Sequence, residues 1–167
     1  DGKISSCIYS IYGKDVFDIM IPVDYKLNGI SISGFINKPG NARASRTLQN
    51  FFINHRFAKI KLASVALEDA FKGFIMVGKH PICVLYIDIP YGAVDVNVHP
   101  AKTEVRFVNE KMIFEAIYYG VKSALMKDTE KKEMEFEVKT KEKDKEENKN
   151  NEKEKNEENE ENQAGES

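Results

Sequence analysis

From position 94 the chain reads Val94-Asp95-Val96-Asn97-Val98-His99-Pro100-Ala101-Lys102-Thr103-Glu104-Val105-Arg106-Phe107. Valines at 94, 96 and 98 alternate with Asp95, Asn97 and His99, the period of a strand with one buried face. Pro100 lacks the amide donor that a central strand needs, so this strand ends at His99. Lys102 then falls at a turn tip. There an ammonium on a long stem can reach a phosphate oxygen across a domain boundary. The same position also suits an ordinary solvated lysine, as most loop lysines are.

A second group of cations follows a different logic. Arg56, Lys59 and Lys61 are spaced across a turn and the start of a helix, with Arg43 and Arg46 upstream. Cations so spaced can meet successive backbone phosphates of a nucleic acid, or form a plain charged surface. Basic residues are not interleaved with aromatic ones in the single-strand-binding manner. Sequence-independent binding driven by counterion release is therefore the expectation.

Other chemistries find no support. His55, His80 and His99 have no metal-ligand spacing with cysteine or acidic residues, so no metal site is expected. Cys7 and Cys83 are far apart, the usage of a reduced intracellular protein. There is no nucleophile elbow. The ten glycines never form a phosphate-cradling loop, so this stretch alone should neither hold nor hydrolyse a nucleotide. No 18-residue apolar run suggests a membrane span. The chain starts without Met and in mid-pattern, as an excised fragment would.

The charge is unevenly spread. Residues 1–127 hold 16 Lys or Arg against 11 Asp or Glu, net +5, and residues 128–167 hold 9 against 16, net −7. The apolar side chains of that tail are Met134, Phe136, Val138 and Ala164. So little apolar surface cannot offset the entropy of ordering, and a flexible linker is expected. The rival is a lone charged helix of Glu–Lys pairs four apart, which the asparagines after Glu147 disfavour.

The elements that must position these residues can be read from period and punctuation. Ile4, Cys7, Ile8, Ile11 and Tyr12 mark one face of a short helix stopped by Gly13. Met20–Lys26 and Ile30–Asn37 form a hairpin about Asn28-Gly29, a pair suited to two positive φ angles. Residues 38–46, with Lys38, Arg43 and Arg46, form a polar loop. Thr47–Ile53 is a strand, Asn54-His55 a turn, and Arg56–Lys59 continues beyond it. Leu62–Lys72 is a helix buried through Leu62, Ala63, Ala66, Leu67, Ala70 and Phe71, and ended by Gly73. Ile82–Ile89 is a buried central strand broken by Pro90. Val105–Val108 is a short strand. Asn109 caps a last helix from Glu110 to about Met126, with Ile113, Ile117, Val121 and Ala124 inward. The sum is an α+β domain, one mixed sheet with helices mainly on one face.

The 94–107 segment resembles the signature of MutL-type DNA mismatch repair proteins and their eukaryotic relatives. Phe51-Phe52-Ile53-Asn54-His55-Arg56-Phe57, the helix from Lys61 to Lys72, and residues 29–36 followed by Lys38-Pro39 fit the same family order. The likeness covers residues 4 to about 126, and the tail matches the family's linker in position and character. It implies a fold shared with the second domain of DNA gyrase and a small ribosomal protein, including a left-handed β-α-β crossover, against the usual rule. It implies that an N-terminal GHKL-type domain binds ATP and Mg²⁺ while Lys102 touches the γ-phosphate and Asn97 shapes the loop. The fragment would be inactive alone and part of a DNA-dependent ATPase when intact. It also implies DNA contact, best matched at Lys61 and Arg56, with Lys59, Arg43 and Arg46 beside them. Further partners would be a mismatch-recognition protein and a second copy, through other domains. An endonuclease site, where members have one, would lie beyond the tail.

One departure stands out. The family usually has Asn-Gly before this arginine, and here His55 replaces the glycine, so either the turn differs or His55 is strained. The Lys/Asn/Glu/Ile bias suggests a bacterium, hence the cytoplasm near the nucleoid; a eukaryotic source would imply the nucleus. The competing readings are a ribosomal-type RNA-binding module and a small-molecule kinase of related topology. Neither accounts for the 94–107 segment, and the kinase lacks a phosphate loop.

Overall fold

Five strands make the main sheet, in the order β1-β2-β5-β3-β4. The computed structural model describes residues 2–90, 92, 94, 95 and 106–165. β1 (Met20–Leu27) and β2 (Ile30–Asn37) pair antiparallel, with Leu27 opposite Ile30. The hairpin turn between them has φ 52° at Asn28 and 77° at Gly29, the two positive angles that the Asn-Gly pair called for. β3 (Gln49–Ile53) and β4 (Arg56–Ala58) form a second hairpin on the far edge. β5 (Cys83–Asp88) lies in the middle, antiparallel to β2 and parallel to β3. α3 (Lys61–Phe71) lies in the connection that leads from the β3–β4 hairpin to β5.

Alternation decides which side chains reach the core. Val23 stands opposite Gly34, Gly34 opposite Leu85, and Leu85 opposite Phe51, so these positions share one face. Ile32, Ile36, Leu85 and Ile87 on that face are fully buried, in one cluster with Ala63, Ala66, Leu67 and Phe71 of α3. Burying a side chain such as Leu67 or Phe71 contributes about 1.5–3 kcal/mol. α4 (Glu110–Ala164) adds Ile113, Ala116, Ile117, Val121 and Leu125 to the same cluster. Its backbone runs close to β1: a Cβ on Gly120 would lie 3.2 Å from the Tyr25 Cβ. Asn109 caps it as expected, its Oδ1 accepting the Met112 amide at 3.2 Å.

The opposite face carries α1 (Gly2–Tyr12) and the short α2 (Lys14–Asp18), which periodicity did not reveal. Phe17 packs on Phe35 at 6.4 Å between ring centroids, and Asn50 Nδ2 donates to the Tyr12 hydroxyl at 2.8 Å. The expected apolar face of α1 is covered only in part. Ile8 is buried, but Cys7 is exposed and Ile11 is 72% exposed. A 3.6-residue period marks the apolar stripe of a helix and says nothing of how much of it a neighbour covers.

β6 (Val94–Asp95) and β7 (Arg106–Phe107) form a separate two-stranded ladder. The strand expected through Val96 and Val98 lies mostly outside the described residues. The Asn54-His55 turn has φ 46° and 69°, so His55 takes the left-handed conformation that glycine would adopt freely.

The chain divides into two units, Asp1–Lys127 and Asp128–Ser167. The second was expected to be an unstructured linker; the structure instead gives it helix through Ala164. Local terms favour that helix. Glu and Lys are good helix formers, and Lys132–Asp128 (2.8 Å) and Lys141–Glu137 (4.0 Å) are pairs four apart. It buries little: Met134, Phe136 and Val138 are all more than half exposed.

Candidate nucleic-acid interface

Three of the singled-out cations lie on one hairpin strand and the helix start that follows it. Arg56 opens β4, opposite Ile53. Lys59 follows β4, and Lys61 is the first residue of α3. Ala58 and Ile60 are buried at 3% and 5% exposure and alternate with the exposed Lys59 and Lys61, while the exposed Arg56 stands opposite Ile53. Arg56, Lys59 and Lys61 are exposed, and no described ion pair holds any of them. His55 sits beside them on the turn, 3.7 Å from Asp88, an exposed contact of small energetic weight.

The turn itself is held from below. The Asn54 amide donates to the Ile87 carbonyl at 3.0 Å, and its Oδ1 accepts the Ile89 amide at 2.8 Å. Asparagine tolerates positive φ better than most residues, and its side chain here closes a contact 35 positions away. Sequence reading treats Asn54 as a turn former only. Its partner strand is invisible without the fold.

The upstream arginines are placed differently. Arg46 is committed to Glu68 of α3: Nε donates to Oε1 at 2.7 Å and Nη2 to Oε2 at 3.1 Å. Such a bidentate fork leaves Arg46 poorly available for phosphate. His80 Nδ1 lies 2.7 Å from the same Glu68 Oε1, and Gln49 Nε2 donates to it at 3.5 Å. Arg43 is exposed, and its backbone is bridged to His80 by hydrogen bonds of 2.8 and 2.6 Å. Lys102 and Asn97 lie outside the described residues. Among the described residues, no group of His, Cys, Asp and Glu could hold a metal ion.

The Arg46 guanidinium, and secondarily the hydrogen bond from His80, hold the Glu68 carboxyl below its usual range despite partial burial, which pushes the other way. A carboxylate with a depressed folded value stabilises the fold above the ordinary carboxylate range. That contribution is lost as pH falls through the folded value. Thermal melts of wild type and Glu68→Gln should thus differ at neutral pH, with wild type more stable, and converge under acid conditions. Parallel curves at all pH would show that the cluster contributes nothing through ionisation.

The fold and site define an α+β, transducer-like domain whose hairpin edge is basic. A family profile described as DNA mismatch repair protein, C-terminal domain, matches residues 8–126. The DNA mismatch repair protein MutL of Clostridium perfringens is 39% identical over 144 residues, covering 82% of this chain and 21% of that protein. MutL of Symbiobacterium thermophilum is 36% identical over 124 residues, covering 74% and 20%. A solved structure titled as the N-terminal domain of a DNA repair protein superposes with TM-score 0.62 at 22% identity, covering 72% of this chain and 40% of that one. This likeness concerns the fold alone. The chain belongs to the MutL family of DNA mismatch repair proteins. It spans about a fifth of the length of these curated relatives. No helix among the described residues is long and apolar enough to cross a membrane.

Proposed function

We propose that this chain is the DNA-contacting and nucleotide-sensing part of a mismatch repair ATPase. The observation that carries the DNA half is the exposed set Arg56, Lys59 and Lys61, on a hairpin and a helix start and in no ion pair among the described residues. Three exposed cations within one short stretch fit duplex or single-strand backbone phosphates, with no preference for sequence. Arg43 is a peripheral member of this surface, and Arg46 serves the Glu68 cluster instead.

The nucleotide half rests on family membership and on the 94–107 segment. In the intact protein Lys102 would meet the γ-phosphate of ATP, bound with Mg²⁺ by an N-terminal GHKL-type domain, and Asn97 would shape its loop. A cation that contacts only the γ-phosphate distinguishes ATP from ADP, so hydrolysis would release this domain. The intact protein would act as a homodimer with a mismatch-recognition partner. The ribosomal and kinase readings have no observation in their favour.

The test is salt-dependent DNA binding by the intact protein. Arg56→Glu and Lys61→Glu should each weaken binding on the order of tenfold across all sequences. Each should also flatten the log–log salt slope by about one. Equal binding by wild type and both variants would remove the interface. Tighter binding of structured RNA than of DNA would favour the ribosomal-type reading instead.

A further inference from the structure

The face of the sheet turned away from the main core carries a row of aromatic rings. Tyr86 of β5 stands opposite Phe52 of β3, and Phe52 opposite Phe57 of β4. Their chain neighbours Leu85, Phe51 and Ala58 are buried on the core face, so the three rings lie on the other one. The Phe52 and Tyr86 rings are stacked, with centroids 4.8 Å apart and planes 11° apart. Phe57 meets Phe52 edge to face, at 5.7 Å and 70°. Further along β3, α1 covers this face, where the Tyr12 hydroxyl accepts the Asn50 amide. β4 is an edge strand, and there the row ends in the open: Phe57 is 47% exposed. Positions 52, 57 and 86 become one row only through strand order.

A single exposed apolar residue is ordinary. This one is braced by a second ring and set between cations. Arg56 precedes it, and Lys59 follows two positions on, about 6.6 Å along a strand. Ala58 and Ile60 are buried, so Phe57 and Lys59 share the outer face. A flat apolar ring with a cation beside it complements a nucleotide, which joins a π-face to an anionic phosphate. Every base has such a face, so the fit is indifferent to sequence. Paired bases are stacked on one another and offer only their edges in the grooves. The ring therefore has a use only for a base that is unpaired.

We propose that Phe57 is a base-stacking residue, taking one unpaired base on its exposed ring while Lys59 meets the adjoining phosphate. The inference rests on the DNA contact proposed above, and it assigns the discrimination between bases and bare backbone to this ring. Phe52, in register between Phe57 and Tyr86, is a positioning residue that fixes the plane of the Phe57 ring.

The experiment uses the intact protein and three probes of one length: a mixed-sequence single strand, the same sequence as a duplex, and a fully abasic strand. The abasic strand keeps the phosphates and lacks the bases. Wild type should bind the single strand about tenfold more tightly than the abasic strand. Phe57→Leu keeps apolar bulk and removes the ring. It should lose that advantage, while binding the duplex and the abasic strand within about twofold of wild type. Its log–log salt slope should stay that of wild type, because no phosphate contact is lost. Phe57→Trp should keep the advantage. The indole emission that it adds over wild type should be quenched by the single strand and not by the abasic strand. If Phe57→Leu melts early, the indole signal alone decides. A Phe57→Leu protein that keeps the advantage, or weakens equally on all three probes, overturns the stacking and leaves the cationic interface standing. So does wild type that binds the single and abasic strands equally, or an indole unquenched in a protein that binds the strand. Wild type that binds none of the three probes overturns the DNA reading and the stacking with it.

Discussion

Gly34→Ala should lower stability by roughly 3 kcal/mol or more. A loss of that size corresponds to a fall in Tm on the order of 10 °C. Gly34 lies in β2 with φ +124°, a conformation closed to residues with a side chain. Its neighbour β5 leaves no room either. A Cβ there would collide with the Val84 carbonyl oxygen and lie 3.1 Å from the Val84 carbonyl carbon and 3.2 Å from the Leu85 Cα. All three are backbone atoms of the central strand, so no side-chain rotation relieves the overlap. The strands would have to part where Gly34 pairs with Leu85. Gly40, whose added Cβ meets nothing within 4 Å, provides the control, and its alanine variant should melt near wild type. Denaturation monitored by circular dichroism would decide. A Gly34→Ala protein as stable as Gly40→Ala would mean that the β2–β5 contact is far softer than drawn.

In the intact protein, Lys102→Ala should reduce ATP turnover on the order of a hundredfold, the usual loss when one preorganised charge partner of a reacting group is removed. The melting transition should stay unchanged. The ladder on either side is anchored in its own right: Val94 pairs with Phe107, and Phe107 is buried in the core. Lys102→Arg should recover only part of the rate, since the guanidinium is a planar fork rather than a compact point charge. Lys111→Ala, an exposed change at the start of α4, serves as the comparison. Turnover by Lys102→Ala equal to that of Lys111→Ala would leave the lysine without a nucleotide role.

The two experiments probe different links. Gly34 concerns whether the sheet closes, and Lys102 concerns what one cation does once it has. The Arg56 and Lys61 reversals lie between, where the scaffold meets a charged surface. Loop residues on such scaffolds are where function usually concentrates.

The sequence by itself determined more of this protein than its charge balance suggests. Alternation and turn chemistry located the first hairpin, down to the positive φ at Asn28 and Gly29, and the turn of the second. The apolar stripes of α3 and of the first turns of α4 named nearly the residues that are buried, because those helices each meet a single continuous core. The exposed stretch of Arg56, Lys59 and Lys61 could be picked out because its members are close in the chain and follow one turn.

Tertiary structure alone decided the rest. Arg46 resembles its neighbours in sequence, yet Glu68, 22 positions on, claims it. Asn54 appears as a turn former, yet its side chain serves Ile89, 35 positions on. α1 has a full apolar stripe of which the sheet covers only a part. Each of these depends on which strand lies beside which. Periodicity reports the faces of an element, whereas the partners of a face are set by strand order, and the order β1-β2-β5-β3-β4 leaves no trace in local spacing.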